Sequence, residues 1–361
     1  MDNYKLSKNE AVLLLIVLMI NKLILNIPYY IIKLVDSGTI INLLYVGIID
    51  FAFLLLLLKL FKNFENQDII DISYYVGGKK LKIVVGILSI LLFILASYIT
   101  LLDFSNVIHT IYFSNFDLIY ILLFFIIGAL VANLSGLKSI SSTTSFICFF
   151  ALASILITFL NTSSNLDISK FTPILGKDLY TTFVKGLVNC FSIYMLVYVY
   201  FLKPLLKKPE DFNKISICAF IISFIILFIT TISMLSLFTS NSNSEPINSL
   251  FLLARQIEFG NFLQRIDAIL IFIWIFSIFA YLSFCIFMIS KILKKLLRIE
   301  DEKQLSYLIC SILLGLTLIP INISKLHYIE NRLYRLSIIY FVFIIGLLIL
   351  IFATLKKRKV N

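Results

Sequence analysis

Apolar residues in this chain come in continuous runs and do not alternate with polar ones. Most runs are about twenty residues long, the length at which a helix rising 1.5 Å per residue crosses the ~30 Å hydrocarbon core of a bilayer. Read in order, they predict ten spans: Ala11–Ile32, Thr39–Leu60, Ile83–Ile108, Leu118–Asn133, Thr143–Leu160, Phe183–Leu202, Ile215–Leu237, Ile266–Ile289, Leu305–Ile321 and Ser337–Leu355. The strands of a membrane β-barrel alternate apolar and polar positions over about ten residues, a pattern not found here. The fourth run is short, and the third is long enough to tilt or protrude. In the first run the pattern breaks. Ile20-Asn21-Lys22-Leu23-Ile24-Leu25-Asn26-Ile27-Pro28 sets a lysine, two asparagines and a proline in a stretch otherwise fit for lipid. A charge at mid-depth costs roughly 2.5–3.5 kcal/mol on insertion scales, so it marks a site or a pathway. Discontinuous helices of this kind line the sites of secondary transporters.

Composition agrees with a polytopic helical membrane protein. Of 361 residues, 60% are apolar and 14% charged, and the mean hydropathy is +1.02. The net charge of +11 does not point to nucleic acid, because the basic residues cluster in short loops between apolar runs. The five cysteines (Cys148, Cys190, Cys218, Cys285, Cys310) all lie inside apolar runs, form no CxxC pair and have no histidine at metal spacing. They read as small buried hydrophobes. No metal or cofactor is expected. No P-loop, HExxH or GxSxG motif is present, so the chain reads as a non-enzyme. An outer loop with paired arginines (Arg255, Arg265) is shared with lipid-linked polysaccharide polymerases, but those carry a much larger loop. The first run is too long for a signal core and lacks a small-x-small cleavage site.

Loop charges give an orientation. One side holds Lys5, Lys8, the basic residues of 59–82, Lys138, those of 203–214 and 291–303, and the tail. The other holds Lys33, Lys170, Lys177, Arg255, Arg265, Lys325, Arg332 and Arg335. The first side is richer, which sets both termini in the cytoplasm, as an even number of spans requires. No loop is long enough for a second domain. The longest external connection, Phe238–Arg265, ends in Leu250–Ile257, apolar on one side, which reads as an interfacial or re-entrant helix. Lys291–Arg298 reads as a helix end snorkelling into anionic headgroups. Ten spans divide into halves of five, 1–161 and 183–355, followed by a basic tail, 356–361. An odd number of spans per half gives the two halves inverted topology.

Lys22 lies about 16 Å into the membrane from one side and Asp50 about 16 Å from the other. Opposite charges at mid-depth on consecutive spans are expected to approach one another or to share a cavity, as a proton or cation relay or as a docking point for a charged ligand. A structural ion pair that fixes helix packing is the alternative. Asn21, Asn26 and Pro28 weaken the same helix. Asn189 and Ser192, at the middle of the sixth span, are candidates for ligand hydrogen bonds or for ordinary interhelical bonding. Trp274, Ser277 and Tyr281 recur at helical spacing on the eighth span, as a packing stripe or a pocket wall. Tyr98, Thr100 and Asp103 on the third span are similar, with Asp103 expected at the outer interface. His109 and His327 read as external or interfacial.

Several stretches together resemble the spore germination permease family, the multispan B-type subunit of germinant receptors. They are Ile20–Pro28, Leu102–Phe113, Pro173–Gly186 and Leu252–Lys295; the last combines an arginine-bearing amphipathic segment, an aromatic-glycine turn and "RIDA" leading into a Trp-centred span. The resemblance covers nearly the whole chain. It implies the amino acid–polyamine–organocation transporter superfamily and a leucine-transporter-like fold with a five-plus-five inverted repeat. It further implies a small nutrient germinant such as an amino acid as ligand, A-type and C-type receptor subunits as partners, and the spore inner membrane as location. The chain departs from the family pattern at three places. Asn21 and Lys22 follow the first-span isoleucine where a small residue is usual, Tyr194-Met195 stands for a Gly-Glu pair, and Ser142 lies where an arginine is expected. A stand-alone, proton-coupled amino acid transporter of the same fold is the alternative. The expected ligand contacts are Asn21, Lys22, Asn26, Asn189, Ser192, Trp274 and Ser277, and the expected ion-coupling residues are Lys22 and Asp50.

Overall fold

A computed structural model describes residues 4–24, 26–163, 168–191, 194–237, 266–297, 299 and 302–360, and among these the chain is almost entirely helical. The helices are α1 (Lys8–Ile24), α2 (Ile27–Val35), α3 (Thr39–Phe61), α4 (Ile69–Tyr112), α5 (Leu118–Leu134), α6 (Gly136–Ser163), α7 (Met195–Leu202), α8 (Phe212–Leu237), α9 (Ile266–Leu297), α10 (Glu302–Thr317) and the run α11 (Ile323–Arg358). A wide turn, Tyr180–Val184, and a tight one, Lys185–Phe191, lead toward α7. Seven helical runs are long and apolar enough to cross a membrane, and α5 and α10 are shorter apolar helices. The chain is a multi-pass membrane protein.

Burial explains the arrangement. α1 is apolar on every face and is enclosed on every face: Leu14 through Leu23 are buried. It packs against α6, α8 and α9, and α9 in turn packs against α4, α5 and α6. Large apolar side chains such as Ile48, Leu91, Phe124, Phe149, Phe272 and Phe352 point outward, as a lipid-facing surface requires. Small polar groups join the helices. Asn133 on α5 donates to the Ser283 carbonyl of α9 at 3.1 Å and accepts from Ser306 of α10 at 2.7 Å.

The interruption expected in the first span is present, and two span starts change. The first span is two helices, since Asn26 leaves the helical region (φ −128°, ψ 5°) and Pro28 sits in the first turn of α2, where a missing N–H costs nothing. The third span begins earlier, at Ile69, with a bend at Gly77 and Gly78. The last begins at Ile323, well before Ser337, so charged residues assigned to a loop belong to a helix. Of the cysteines, Cys218 is exposed and the other four are buried. Ser192 and the Leu250–Ile257 segment with Arg255 and Arg265 lie outside the described residues.

At the end that carries the N-terminus, lysines from distant elements hold the connection between α3 and α4. Lys203 donates to the carbonyls of Phe61 and Phe64 at 2.8 and 2.6 Å, completing the C-terminus of α3. Lys356 and Lys357 of α11 donate to the carbonyls of Tyr75 and Asn63 at 2.7 and 2.5 Å. Lys295 does not run out to headgroups; it bridges Asp68 and Asp71 at 2.5 and 2.6 Å, beside the capping box that starts α4. Beside them the N-terminal peptide is stitched to the segment after α7. The Leu6 amide donates to the Leu205 carbonyl at 2.7 Å, and the Lys207 amide to the Leu6 carbonyl at 2.8 Å.

Gly78 adopts φ +66°, ψ −155°, and a Cβ built there would meet nothing within 4 Å. That backbone region is nearly exclusive to glycine, so Gly78→Ala is expected to lose about 1–3 kcal/mol through conformation alone. Thermal unfolding of the purified chain in detergent checks this; an unchanged midpoint contradicts it.

Candidate functional site

The break between α1 and α2 leaves helix-end backbone groups in the interior of the bundle, where side chains must satisfy them. Asn21 donates to the Val17 carbonyl at 2.8 Å and to the Ser277 carbonyl and hydroxyl at 3.0 Å, tying α1 to α9. Its Oδ1 is buried without a hydrogen-bond partner. Lys22 is fully buried and donates to Thr100 Oγ1 of α4 at 2.8 Å. Its ammonium faces the rings of Tyr334, Tyr281 and Tyr194, at 4.9, 5.0 and 5.9 Å from their centroids. Asn26, at the break, donates to Asp103 Oδ2 at 2.9 Å, while the other Asp103 oxygen lies 3.2 Å from His327 Nε2. Four residues beyond Asn26, Tyr30 donates to Glu330 Oε2 at 3.2 Å; the other Glu330 oxygen is buried and unpartnered. Asp103 lies one turn beyond Thr100 on α4, and Glu330 lies one turn before Tyr334 on α11, so a carboxyl stands beside each of these two Lys22 contacts.

A second chain of bonds continues toward α3. Arg335 is buried and donates to Asn331 Oδ1 at 2.8 Å, to the Val188 carbonyl at 3.2 Å and to Asn189 Oδ1 at 3.0 Å. Asn189 donates to Asn42 Oδ1 at 2.7 Å, and Asn42 donates to the Thr182 carbonyl at 2.7 Å. Among the described residues no group of three His, Cys, Asp or Glu is arranged to hold a metal.

Asn21, Lys22, Asn26 and Ser277 therefore meet at the break. Asn189 joins it through Arg335 and the neighbouring Tyr334. Trp274, one turn before Ser277 on α9, donates its Nε1–H to Ser154 Oγ of α6 at 3.4 Å. Lys22 and Asp50, expected to approach one another or to share a cavity, are joined by no hydrogen bond or ion pair. Asp50 is buried on α3, and among the described residues neither of its oxygens has a hydrogen-bond partner. Mid-depth on two spans equalises height but leaves the facing direction open. Asp103 is likewise buried within the site and does not reach an interface, and His327 lies beside it. His109 is exposed, within 2.9 Å of the Phe116 carbonyl.

The residues that sequence reasoning missed come from α11. Glu330, Tyr334 and Arg335 follow His327 at helical spacing, so one face carries them all. Their charge density disguised a helix as a loop; the i, i+3, i+7 repeat was the signal available.

The sequence profile described as "spore germination protein" matches residues 5–326. The chain belongs to the spore germination protein family. No curated protein matches the sequence of this spore permease. Its fold is similar to that of a solved chain described as a substrate-bound outward-open state of a Na+-coupled sialic acid symporter, at TM-score 0.64 and 10% identity over 94% of this chain and 79% of that one. The family match stops at residue 326, so Glu330, Tyr334 and Arg335 lie beyond it.

Asp103 satisfies two partners at once, and its truncation would strand both. Asp103→Leu is expected to destabilise the permease by about 1–3 kcal/mol and Asp103→Asn by clearly less, since the amide still meets Asn26 or His327. Equal unfolding midpoints for the two variants would contradict the pairing.

Proposed function

We propose that this permease is the membrane subunit of a germinant receptor and binds a small nutrient, an amino acid or similar, at the break between α1 and α2. The carrying observation is the fully enclosed Lys22 at that break, within the field of Glu330 and Asp103, in a chain of the spore germination family. Hydrophobic burial alone gives no reason to bring these charges together, and each is costly away from water. The proposed nutrient contacts are Asn21, Lys22, Asn26, Asn189, Ser192, Trp274 and Ser277, with Lys22 and Asp50 coupling to an ion. Binding would bias one of two helix arrangements, and partner subunits of A-type and C-type would read that bias. In this reading the chain forms one domain of ten spans, two inverted halves (1–161 and 183–355) and a basic tail. It lies in the spore inner membrane with both termini cytoplasmic.

The second reading is a proton-coupled amino acid transporter that works without partners. It is favoured by the symporter-like fold and by Asp50, a buried carboxyl with no partner that is well suited to carrying a proton.

Deletion of the gene in the spore former is expected to remove the germination response to at least one member of an amino acid panel. Radiolabelled uptake by the chain alone in a heterologous host is expected to be negligible; strong uptake without partners overturns the receptor reading in favour of the transporter. Lys22→Ala should abolish the response while the protein still inserts and assembles. A full response from that variant removes Lys22 from the site.

A further inference from the structure

Hiding one lysine charge would take one carboxylate, and Lys22 has no ion-pair partner within 4 Å among the described residues. Three aromatic faces and a hydroxyl surround it instead. Tyr334 comes from α11, Tyr281 from α9, Tyr194 from the residue just before α7, and Thr100 from α4. Four separate elements thus converge on one nitrogen. The rings are themselves locked in place. Tyr194 and Tyr334 are stacked with centroids 5.5 Å apart, the Tyr198 hydroxyl donates to the Tyr281 hydroxyl at 3.3 Å, and all three cage tyrosines are buried. A desolvated cation over aromatic faces is held more strongly than one exposed to water. Asp103, one turn beyond Thr100 on α4, and Glu330, one turn before Tyr334 on α11, bring two carboxyls close behind this shell.

We propose that this tyrosine cage is a binding site for a primary ammonium group, and that Lys22 is its tethered occupant. The hydroxyl of Thr100 needs an N–H to accept, which a primary ammonium has and a quaternary ammonium lacks. Alkali cations are held by rings of oxygen atoms, whereas the nearest faces here are carbon π-systems. Removing the Lys22 side chain therefore opens a pocket shaped and charged for a short alkylammonium ion. The inference concerns the same site as the proposed nutrient pocket, but its chemistry is open to test without any nutrient.

The test uses the full-length purified protein in detergent, with unfolding followed through its single tryptophan, Trp274. Lys22→Ala is titrated with n-propylammonium, tetramethylammonium and K+ at constant ionic strength. Saturable stabilisation by n-propylammonium is expected, at least about tenfold tighter than by either other cation. The unmodified protein, whose cage is filled by its own amine, and Lys22→Met, whose cage is filled by an apolar chain, are expected to show no such response. Equal effects of the three cations on Lys22→Ala, no effect at all, or an equal response of the unmodified protein would overturn the proposal. If Lys22→Ala does not fold, the intact chain decides the matter. Tyr334→Phe and its mono-, di- and trifluorinated phenylalanine counterparts drain the ring face of charge without changing its shape, so the unfolding midpoint should fall stepwise along the series. A flat series overturns the cage. Ammonium binding in a protein that answers to no nutrient would count against the receptor function alone, and a nutrient response without ammonium binding would count against the cage alone.

Discussion

A primary ammonium taken out of water inside a bundle of helices is the constraint around which this molecule is organised. Solvating it by lipid is not available, and full burial without compensation is prohibitive. The compensation comes from elements far apart in sequence: a threonine of α4, tyrosines of α9 and α11 and of the residue before α7, and carboxyls of α4 and α11. Each of these groups fixes where its helix sits. The site is therefore also a large part of what specifies the packing of α1 and α2 against the rest of the bundle.

The same rule operates at the helix ends. A helix that stops inside protein, or near its edge, leaves carbonyls that need donors. At the end carrying the N-terminus, Lys203, Lys356 and Lys357 supply donors to the α3–α4 connection, and Lys295 matches the carboxylates that start α4. In the middle of the bundle, the asparagines around the break tie it to other helices, Asn21 donating to Ser277 of α9 and Asn26 to Asp103 of α4. Basic residues that hydropathy alone would send to the headgroups are here joints between elements.

Likeness of fold to a symporter and membership of a germination family speak to different levels. At 10% identity the shared architecture says that the helices are arranged alike, and fold does not fix function. What the structure adds to that architecture is the surroundings of Lys22 and the α11 face that begins at His327.

The hydropathy pattern by itself determined that the chain crosses a membrane as helices, where most of those helices lie, and that the first of them is interrupted at Asn21–Pro28. These are local properties, written in the length of apolar runs and in residues that a lipid-facing helix does not tolerate. It also marked Asn21, Lys22 and Asn26 as residues that need partners inside the protein, because a charge or amide in such a run has few other places to go. Which partner Lys22 meets was decided only in three dimensions. Depth along a span follows from counting residues, but the direction a side chain faces depends on how the whole helix is rotated by its neighbours. Asp50 and Lys22 thus have matching depth and no contact, whereas Thr100, Tyr281, Tyr334 and Glu330 reach Lys22's surroundings from elements up to some three hundred residues away. The start of α11 was illegible for the opposite reason. Its charged and polar side chains are met by groups on α2, α4 and the 185–191 turn, and such pairing is a property of packing that no single stretch of sequence contains.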